Sequence, residues 1–340
     1  RMGGDEFTVI LSDLPHEYIA AEVATKILAS IVQPVWIDQH EITPHLSIGI
    51  SLYPKDGETY DDLTRYADIA MYHAKGDGGD GFHYFQEEMN TESQRILVLE
   101  NEMRAGLISN QFVPYFQPIY DIQSGRLVGM EALARWQHPV HGLIMPDDFI
   151  PIAEESGFIT SLGQSIFQQS CLQVREWMDA FSQELYLAVN LSSRQFNSSE
   201  LIDQVKATLS NTGFPAHCPT LEITESMVMG RIDRTLNQLN QLRDAGLNLA
   251  IDDFGTGYSS LSYLQRFPVN TLKIDRSFTN NILTDRNSRA IVKAIISMAH
   301  AMELDVVAEG VENTEQLELL KQLDCHKVQG YLFSKPVPAS

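Results

Sequence analysis

From about Gln111 onward, short apolar runs alternate with longer amphipathic stretches. The runs are FVPYFQPIY, RLVGMEALARW, LYLAVNLS, TLEITES, LNLAIDD, TLKIDRSF, LDVVAEGVE and KVQGYLF. Near-continuous apolar character over so few residues is the mark of a buried strand. Between the runs, apolar positions recur at helical spacing over residues 149–156, 165–181, 199–212, 234–245, 289–302 and 314–323. Strand and helix in alternation predict a parallel sheet wrapped by helices. Roughly eight strands over some 230 residues predict a closed (β/α)8 barrel, an α/β fold whose usual size is about 250 residues. An open doubly wound sheet is the competing architecture.

Each run also carries polar residues at or near its end. Gln117, Glu131, Asn190, Glu222 with Glu225, Asp252 with Asp253, Lys273, Glu309 with Glu312, and Gln329 are spread over two hundred residues. A barrel brings strand ends to one face, where its catalytic side chains converge. An open sheet has no means of gathering so many of them.

The segment before Gln111 reads differently. RMGGDEFTVIL places Gly3, Gly4 and Asp5 ahead of an alternating apolar run, which predicts a turn feeding a strand. A helix is expected over residues 20–32, a strand over 45–51, a second helix over 60–75 and a short strand over 82–85. Residues 87–106 read as a helix with Leu97, Leu99 and Met103 among Glu and Arg.

Length and charge narrow the function. At 340 residues the chain has room for two domains. Its formal charge, 24 − 45 = −21, argues against coating a DNA or RNA polymer. A phosphate ligand therefore needs local positive charge, from a metal ion or a few placed Lys and Arg. Cys171, Cys218 and Cys325 form no CxxC pair and no disulfide framework, which fits a cytoplasmic chain. No apolar run reaches the roughly 18 residues of a membrane-spanning helix. The sequence opens on Arg1 rather than Met, so a sensor or membrane anchor upstream is compatible with it.

Adjacent aspartates at the end of LNLAIDD are costly unless something compensates them, because like charges resist being ionised together. One of them capping the next helix while the other is solvated is the bland alternative. If Glu131, Asn190, Glu222, Asp252, Asp253 and Glu309 meet, five carboxylates and an amide line one pocket. An all-oxygen donor set suits Mg²⁺ or Mn²⁺. The Asp252–Asp253 pair suits two such ions about 3.5–4 Å apart, the arrangement that clamps an in-line displacement at phosphorus. Lys273 and Arg135 are the candidate cations for a phosphate oxygen or an attacking water.

These residues also carry family resemblances. Gly3-Gly4-Asp5-Glu6-Phe7 and ADIAMYHAK resemble the C-terminal portion of the GGDEF domain of diguanylate cyclases. The resemblance implies metal proximity for Glu6 and phosphate proximity for Lys75. The N-terminal half of that domain is not in this chain, and Gly78-Gly79-Asp80 stands where the family has Gly-Arg-Asn. A scaffold or regulatory role is therefore expected of residues 1–86, followed by a linker helix over 87–96.

Over residues 97–340 the chain resembles the EAL domain of cyclic di-GMP phosphodiesterases, in QPIYDIQSGRLVGMEALARWQHP, AVNLS, LEITES, IDDFGTGYSSL, LKIDRSF, VAEGVE and QGYLFSKP. That resemblance implies hydrolysis of cyclic di-GMP to linear pGpG. It implies metal ligation by Glu131, Asn190, Glu222, Asp252 and Asp253, and activation of water by Lys273 and Glu309 alongside Glu131. Gln117, Arg135, Gln329 and Glu312 are implied as substrate contacts. Glu225 is implied to pin the loop over 253–260, which shapes a family homodimer interface. A cyclic di-GMP receptor without catalysis and a bifunctional cyclase–phosphodiesterase are the alternative readings.

Overall fold

The computed structural model describes residues 1, 4–31, 35–37, 40–42, 44–76, 79–229, 232–256 and 264–339. It divides into two compact units, Arg1–Asn101 and Glu102–Ser340.

The first unit contains α1 (Tyr18–Ile31), β1 (Val35–Ile37), β2 (His40–Ile42), β3 (Ile48–Ile50), α2 (Tyr60–Gly76) and β4 (Phe82–Tyr84). β1 pairs antiparallel with β2, and β3 pairs parallel with β4. Small residues set the packing of α2 on β3. Ala70 and Ala74 are buried, and a Cβ on Gly49 would lie 1.8 Å from the Ala67 carbonyl oxygen. Only glycine lets the helix come so close. The Tyr84 hydroxyl donates to the Glu17 carbonyl at 2.9 Å and accepts from the Ala21 N–H, fixing the start of α1.

The strand expected after Asp5 is not formed. Phe7, Val9 and Ile10 have no strand geometry and are 70%, 63% and 76% exposed. Among the described residues from 4 to 10, Glu6 alone takes part in a β-bridge, and neither two-stranded sheet pairs with residues 7–10. Glu6 and Lys75 are exposed, and Gly3 and Gly78 lie outside the described residues.

The division between units falls within α3 (Glu87–Ile108). Of its three expected apolar positions, Leu99 and Met103 are buried and Leu97 is exposed.

The second unit continues with β5 (Phe112–Asp121), β6 (Leu127–His138), β7 (Gly142–Ile144), α4 (Pro146–Ser156), α5 (Ile159–Phe181), β8 (Tyr186–Asn190), α6 (Ser193–Phe196), α7 (Leu201–Thr212), β9 (Pro219–Thr224), α8 (Glu225–Met229) and α9 (Ile232–Asp244). It ends with β10 (Asn248–Phe254), β11 (Thr271–Ile274), α10 (Arg276–Asn281), α11 (Arg286–Ala301), β12 (Asp305–Ala308), α12 (Thr314–Gln322) and β13 (Lys327–Val328). The sheet order is β5-β13-β12-β11-β10-β9-β8-β6-β7, with β5 also paired to β6. Eight strands therefore close on themselves, with β7 as an outward extension of β6. The eight apolar runs of the sequence are the eight barrel strands.

One strand departs from the expected all-parallel sheet. β5 is antiparallel to both β6 and β13. The turn after β5 explains it. The Asp121 carboxylate accepts from the Ser124 N–H, Gly125 N–H bonds back to the Asp121 carbonyl, and Gly125 sits at φ 65°. So tight a turn makes a hairpin, because a parallel crossover needs a dozen or more residues.

The outer layer follows the amphipathic pattern. In α11, Val292, Ile295, Ile296 and Ala299 are buried at helical spacing and pack towards β11 and β12. The Asp285 carboxylate starts the helix by accepting from the Asn287 and Ser288 N–H groups. At about 1.5–3 kcal/mol for each large aliphatic side chain buried, such a face outweighs helix propensity alone. Among the described residues, no helix is long and apolar enough to cross a membrane.

Candidate active site

Lys273, on β11, is the centre of the barrel mouth. Its side chain is 1% exposed, and its Nζ lies 2.6 Å from Glu222 Oε2, 2.7 Å from Glu309 Oε1, 3.3 Å from Asp252 Oδ2 and 3.6 Å from Glu131 Oε2. The four carboxylates come from β9, the residue after β12, β10 and β6. The neighbouring strands run parallel in register, so residues far apart in sequence stand side by side; Ala250 is opposite Glu222 on β9, and Lys273 is opposite Val307.

Two amides extend this cluster. Asn190, ending β8, donates from Nδ2 to Glu131 Oε1 at 2.7 Å. Gln329, just beyond β13, donates from Nε2 to Glu131 Oε2 at 2.6 Å and to Gln117 Oε1 at 2.9 Å. Gln117 faces Glu131 across the β5–β6 register and donates to the Ser334 carbonyl. Glu131 is thus held at both oxygens. The cluster joins eight of the expected site residues: Gln117, Glu131, Asn190, Glu222, Asp252, Lys273, Glu309 and Gln329.

Four carboxylates around one ammonium leave an excess of negative charge, and the titrations respond. Burial pushes Glu222 well above the ordinary carboxylate range; Lys273 opposes this, while Glu131, Asp252 and Glu309 add to it. Burial also drives Glu309 up to about 8, with the same contest between Lys273 and the neighbouring carboxylates. For Lys273, burial would lower the pKa, but the four carboxylates outweigh it and hold the ammonium well above its ordinary value. The lysine stays charged.

The remaining expected residues lie around this core. Asp253 sits at φ 54°, in the left-handed region, with its N–H on Asp252 Oδ1 at 2.9 Å. Burial, Asp252 and Asp275 push its carboxyl up to about 6. Glu225 is buried and accepts from the Gly255 N–H at 3.0 Å, which holds the backbone two residues after Asp253. Residues 257–260 of the loop expected at a dimer interface lie outside the described residues. Arg135 donates to the Ala134 carbonyl at 2.8 Å and stands over the Tyr115 ring. It makes no ion pair with Glu131 among the described residues. Burial lowers the Arg135 pKa, against the pull of nearby acids and tyrosines. Glu312 is exposed, and its N–H bonds to Gln316 Oε1 at 2.7 Å. His138 and His141 form a turn: the His138 Nδ1 accepts from the Val140 and His141 N–H groups.

Sequence reasoning assigned no role to two neighbours, Asp275, which it noted beside Lys273 in TLKIDRSF, and Tyr186. Asp275 influences Asp253 directly while capping α10 through Ser277. The signal was present, as an Asp two residues after Lys273 and two before Ser277. Tyr186 starts β8, and its ring occupies the space that Gly129 leaves open; a Cβ there would lie 2.5 Å from the ring. Its hydroxyl is buried beneath the charged cluster. An aromatic at a strand start carries no signal of that placement.

A family model described as "EAL domain" matches residues 100–336, more than half of the chain. The chain belongs to the EAL-domain family. A second model, "Diguanylate cyclase, GGDEF domain", matches residues 1–81 ahead of the EAL domain. Over 340 residues the chain is 44% identical to the bifunctional diguanylate cyclase/cyclic di-GMP phosphodiesterase MucR of Pseudomonas aeruginosa, covering 100% of this chain and 49% of MucR. It is 38% identical over 338 residues to the cyclic di-GMP phosphodiesterase NbdA of the same organism, covering 99% of this chain and 43% of NbdA. The chain thus spans about half the length of the curated relatives it matches. Among solved structures, the PaMucR phosphodiesterase in complex with c-di-GMP is similar to the EAL domain. It has a TM-score of 0.69 at 42% identity and covers 72% of this chain and 98% of that one.

Proposed function

We propose that this chain hydrolyses one phosphodiester of cyclic di-GMP to give linear pGpG, in a metal-dependent reaction at the mouth of its EAL barrel. The observation that carries the reading is the buried Lys273 ammonium shared by four carboxylates, three from strands and one from the residue after β12. Its excess negative charge repels a dianionic substrate until cations are bound.

EAL phosphodiesterases are metal-dependent as a class. The donor set here fits a hard divalent cation, because every candidate ligand is an oxygen and because burial, with the neighbouring carboxylates, drives Glu222 and Glu309 toward protonation even beside Lys273. In our reading Glu131, Asn190, Glu222 and Asp252 hold one Mg²⁺ or Mn²⁺, and Asp253 holds a second. Bound divalent cations supply charge to the phosphate and acidify a water molecule.

The chain's own groups do the rest. Lys273 holds the attacking water or a phosphate oxygen through its N–H donors. Glu309, 2.7 Å from Lys273, would take the water's proton in its ionised form, which positive charge bound beside it favours. The water oxygen bonds to phosphorus, the bond from phosphorus to the 3′ oxygen breaks, and that oxygen leaves with a proton from solvent. Glu131, gripped by Asn190 and Gln329, is fixed in position where it would hold the metal ion. Gln117, Arg135, Gln329 and Glu312 contact substrate, and Glu225 steadies the loop after Asp253.

In the same reading residues 1–86 form a partial GGDEF domain with a regulatory role, 87–96 a linker helix and 97–340 the phosphodiesterase domain. The chain works in the cytoplasm, as a homodimer formed around residues 253–260. Chromatography of cyclic di-GMP incubated with the protein tests the activity. pGpG is expected with Mg²⁺ and not with a chelator. Unchanged dinucleotide in both, with binding detected by titration, would replace the enzyme with a receptor.

A further inference from the structure

At the opposite end of the barrel from the carboxylate cluster, three residues of mixed chemistry meet. Glu184 precedes β8, and His217 and Cys218 precede β9. One ligand atom from each lies within 4.8 Å of the others, with His217 Nε2 3.1 Å from Glu184 Oε2. Among the described residues this is the one such grouping of three ligand types. The Cys218 side chain is buried, whereas Glu184 and His217 are exposed. The sulfur therefore forms the floor of the site, and the imidazole and carboxylate form its rim.

The backbone beneath the three side chains is tied down. The Cys218 carbonyl accepts from the Leu187 N–H at 3.0 Å, and the Cys218 N–H donates to the Pro215 carbonyl at 3.1 Å. Asn248 Nδ2 donates to the His217 carbonyl at 2.7 Å. Three consecutive strand starts thus fix the backbone at His217 and Cys218, so the ordering cost of binding falls on the side chains.

We propose that Glu184, His217 and Cys218 form a peripheral binding site for a borderline-soft divalent cation of the zinc class, separate from the reaction centre. Around a tetrahedral Zn²⁺ ion, with bonds of about 2.0–2.3 Å, ligand atoms stand roughly 3.3–3.6 Å apart. The three atoms stand near that spacing, with one pair at 3.1 Å and none further apart than 4.8 Å. The thiolate and imidazole select against Mg²⁺, which prefers oxygen. Burial and the Glu184 charge push the Cys218 thiol up to about 11. The ion therefore displaces the thiol proton to solvent as the sulfur–metal bond forms. A bound ion cross-links the starts of β8 and β9, with its fourth coordination position open to water.

Co²⁺ is the probe, because a cobalt–thiolate bond gives a charge-transfer band in the near ultraviolet that oxygen ligands do not give. With Mg²⁺ present to occupy the oxygen-lined mouth, Co²⁺ titrated into the full chain is expected to raise this band to saturation at one equivalent, and Zn²⁺ to remove it. The band is lost in Cys218→Ser. In His217→Ala, whose side chain is exposed and whose loss does not disturb the core, affinity for Co²⁺ falls about tenfold or more. No band in the unaltered protein, a band that survives Cys218→Ser, or unchanged affinity in His217→Ala would each overturn the assignment.

Discussion

Replacing Lys273 by methionine keeps the length of the side chain and removes its charge. In the structure that charge has carboxylate oxygens at 2.6, 2.7, 3.3 and 3.6 Å. With an effective dielectric constant near 20, each fully ionised partner is attracted by about 5–6 kcal/mol. Desolvation of the ammonium and partial protonation of Glu222 and Glu309 offset most of this. Removing one member of a buried ion pair costs about 3–5 kcal/mol, which is the expected loss here. For a unit of this size that corresponds to roughly 6–20 °C in melting temperature. Thermal melts of Lys273→Met and the unaltered protein in chelator at pH 7.5 measure it directly. The loss is expected to shrink at pH 5.5, where the orphaned carboxyls take up protons. Mg²⁺ is expected to restore part of the stability, because it replaces the missing charge, while turnover stays lost. A variant that melts within about 2 °C of the unaltered protein in chelator, or one that loses more at pH 5.5, would refute the reasoning.

Three further outcomes follow from the same geometry. Without metal, Glu309 has its folded pKa raised to about 8 from an ordinary 4.5, so the folded state holds its proton more tightly than the unfolded one. Stability from this group is complete below pH 4.5 and is lost as pH rises through 8; melting temperature in chelator should fall from pH 5.5 to 8, and Glu309→Gln should flatten the slope. An unchanged slope in that variant would count against the assignment. Asp252→Asn removes a carboxylate 3.3 Å from Lys273 and should lower turnover by about 10³-fold or more at fixed Mg²⁺ in the pGpG assay. Gly129→Ala drives a Cβ into the Tyr186 ring and should destabilise the barrel by about 1–3 kcal/mol in urea titration.

The barrel was legible because strands buried on both faces must be apolar, and nothing else in the sequence interrupts such runs so regularly. The candidate site was legible because carboxylates, an amide and a lysine stand at the strand ends, where burial otherwise excludes them. The direction of β5 was not, since an apolar run has no polarity; the turn at Asp121, Ser124 and Gly125 decides it, and that turn was visible but unused. Glu131 and Arg135 make no ion pair among the described residues for a reason of length. Four residues along a strand put them on the same face but about 13 Å apart. The exposed stretch from Phe7 to Ile10 shows the opposite limit: strand pattern alone makes no strand, and none of the described strands pairs with it.

The antiparallel seam ties early chain to late chain. β5 closes against β13, and the Gln117–Gln329 hydrogen bond spans 212 residues. At about 5–20 residues per second, a ribosome takes roughly 10–40 s to travel from one to the other. During that interval β5 is paired only with β6, and its far edge is open to any passing strand. Glu131 has Asn190 but not yet Gln329. The pocket therefore closes in one late event, and a nascent chain stalled before β13 has made every proposed metal ligand without the strand that closes the barrel around them.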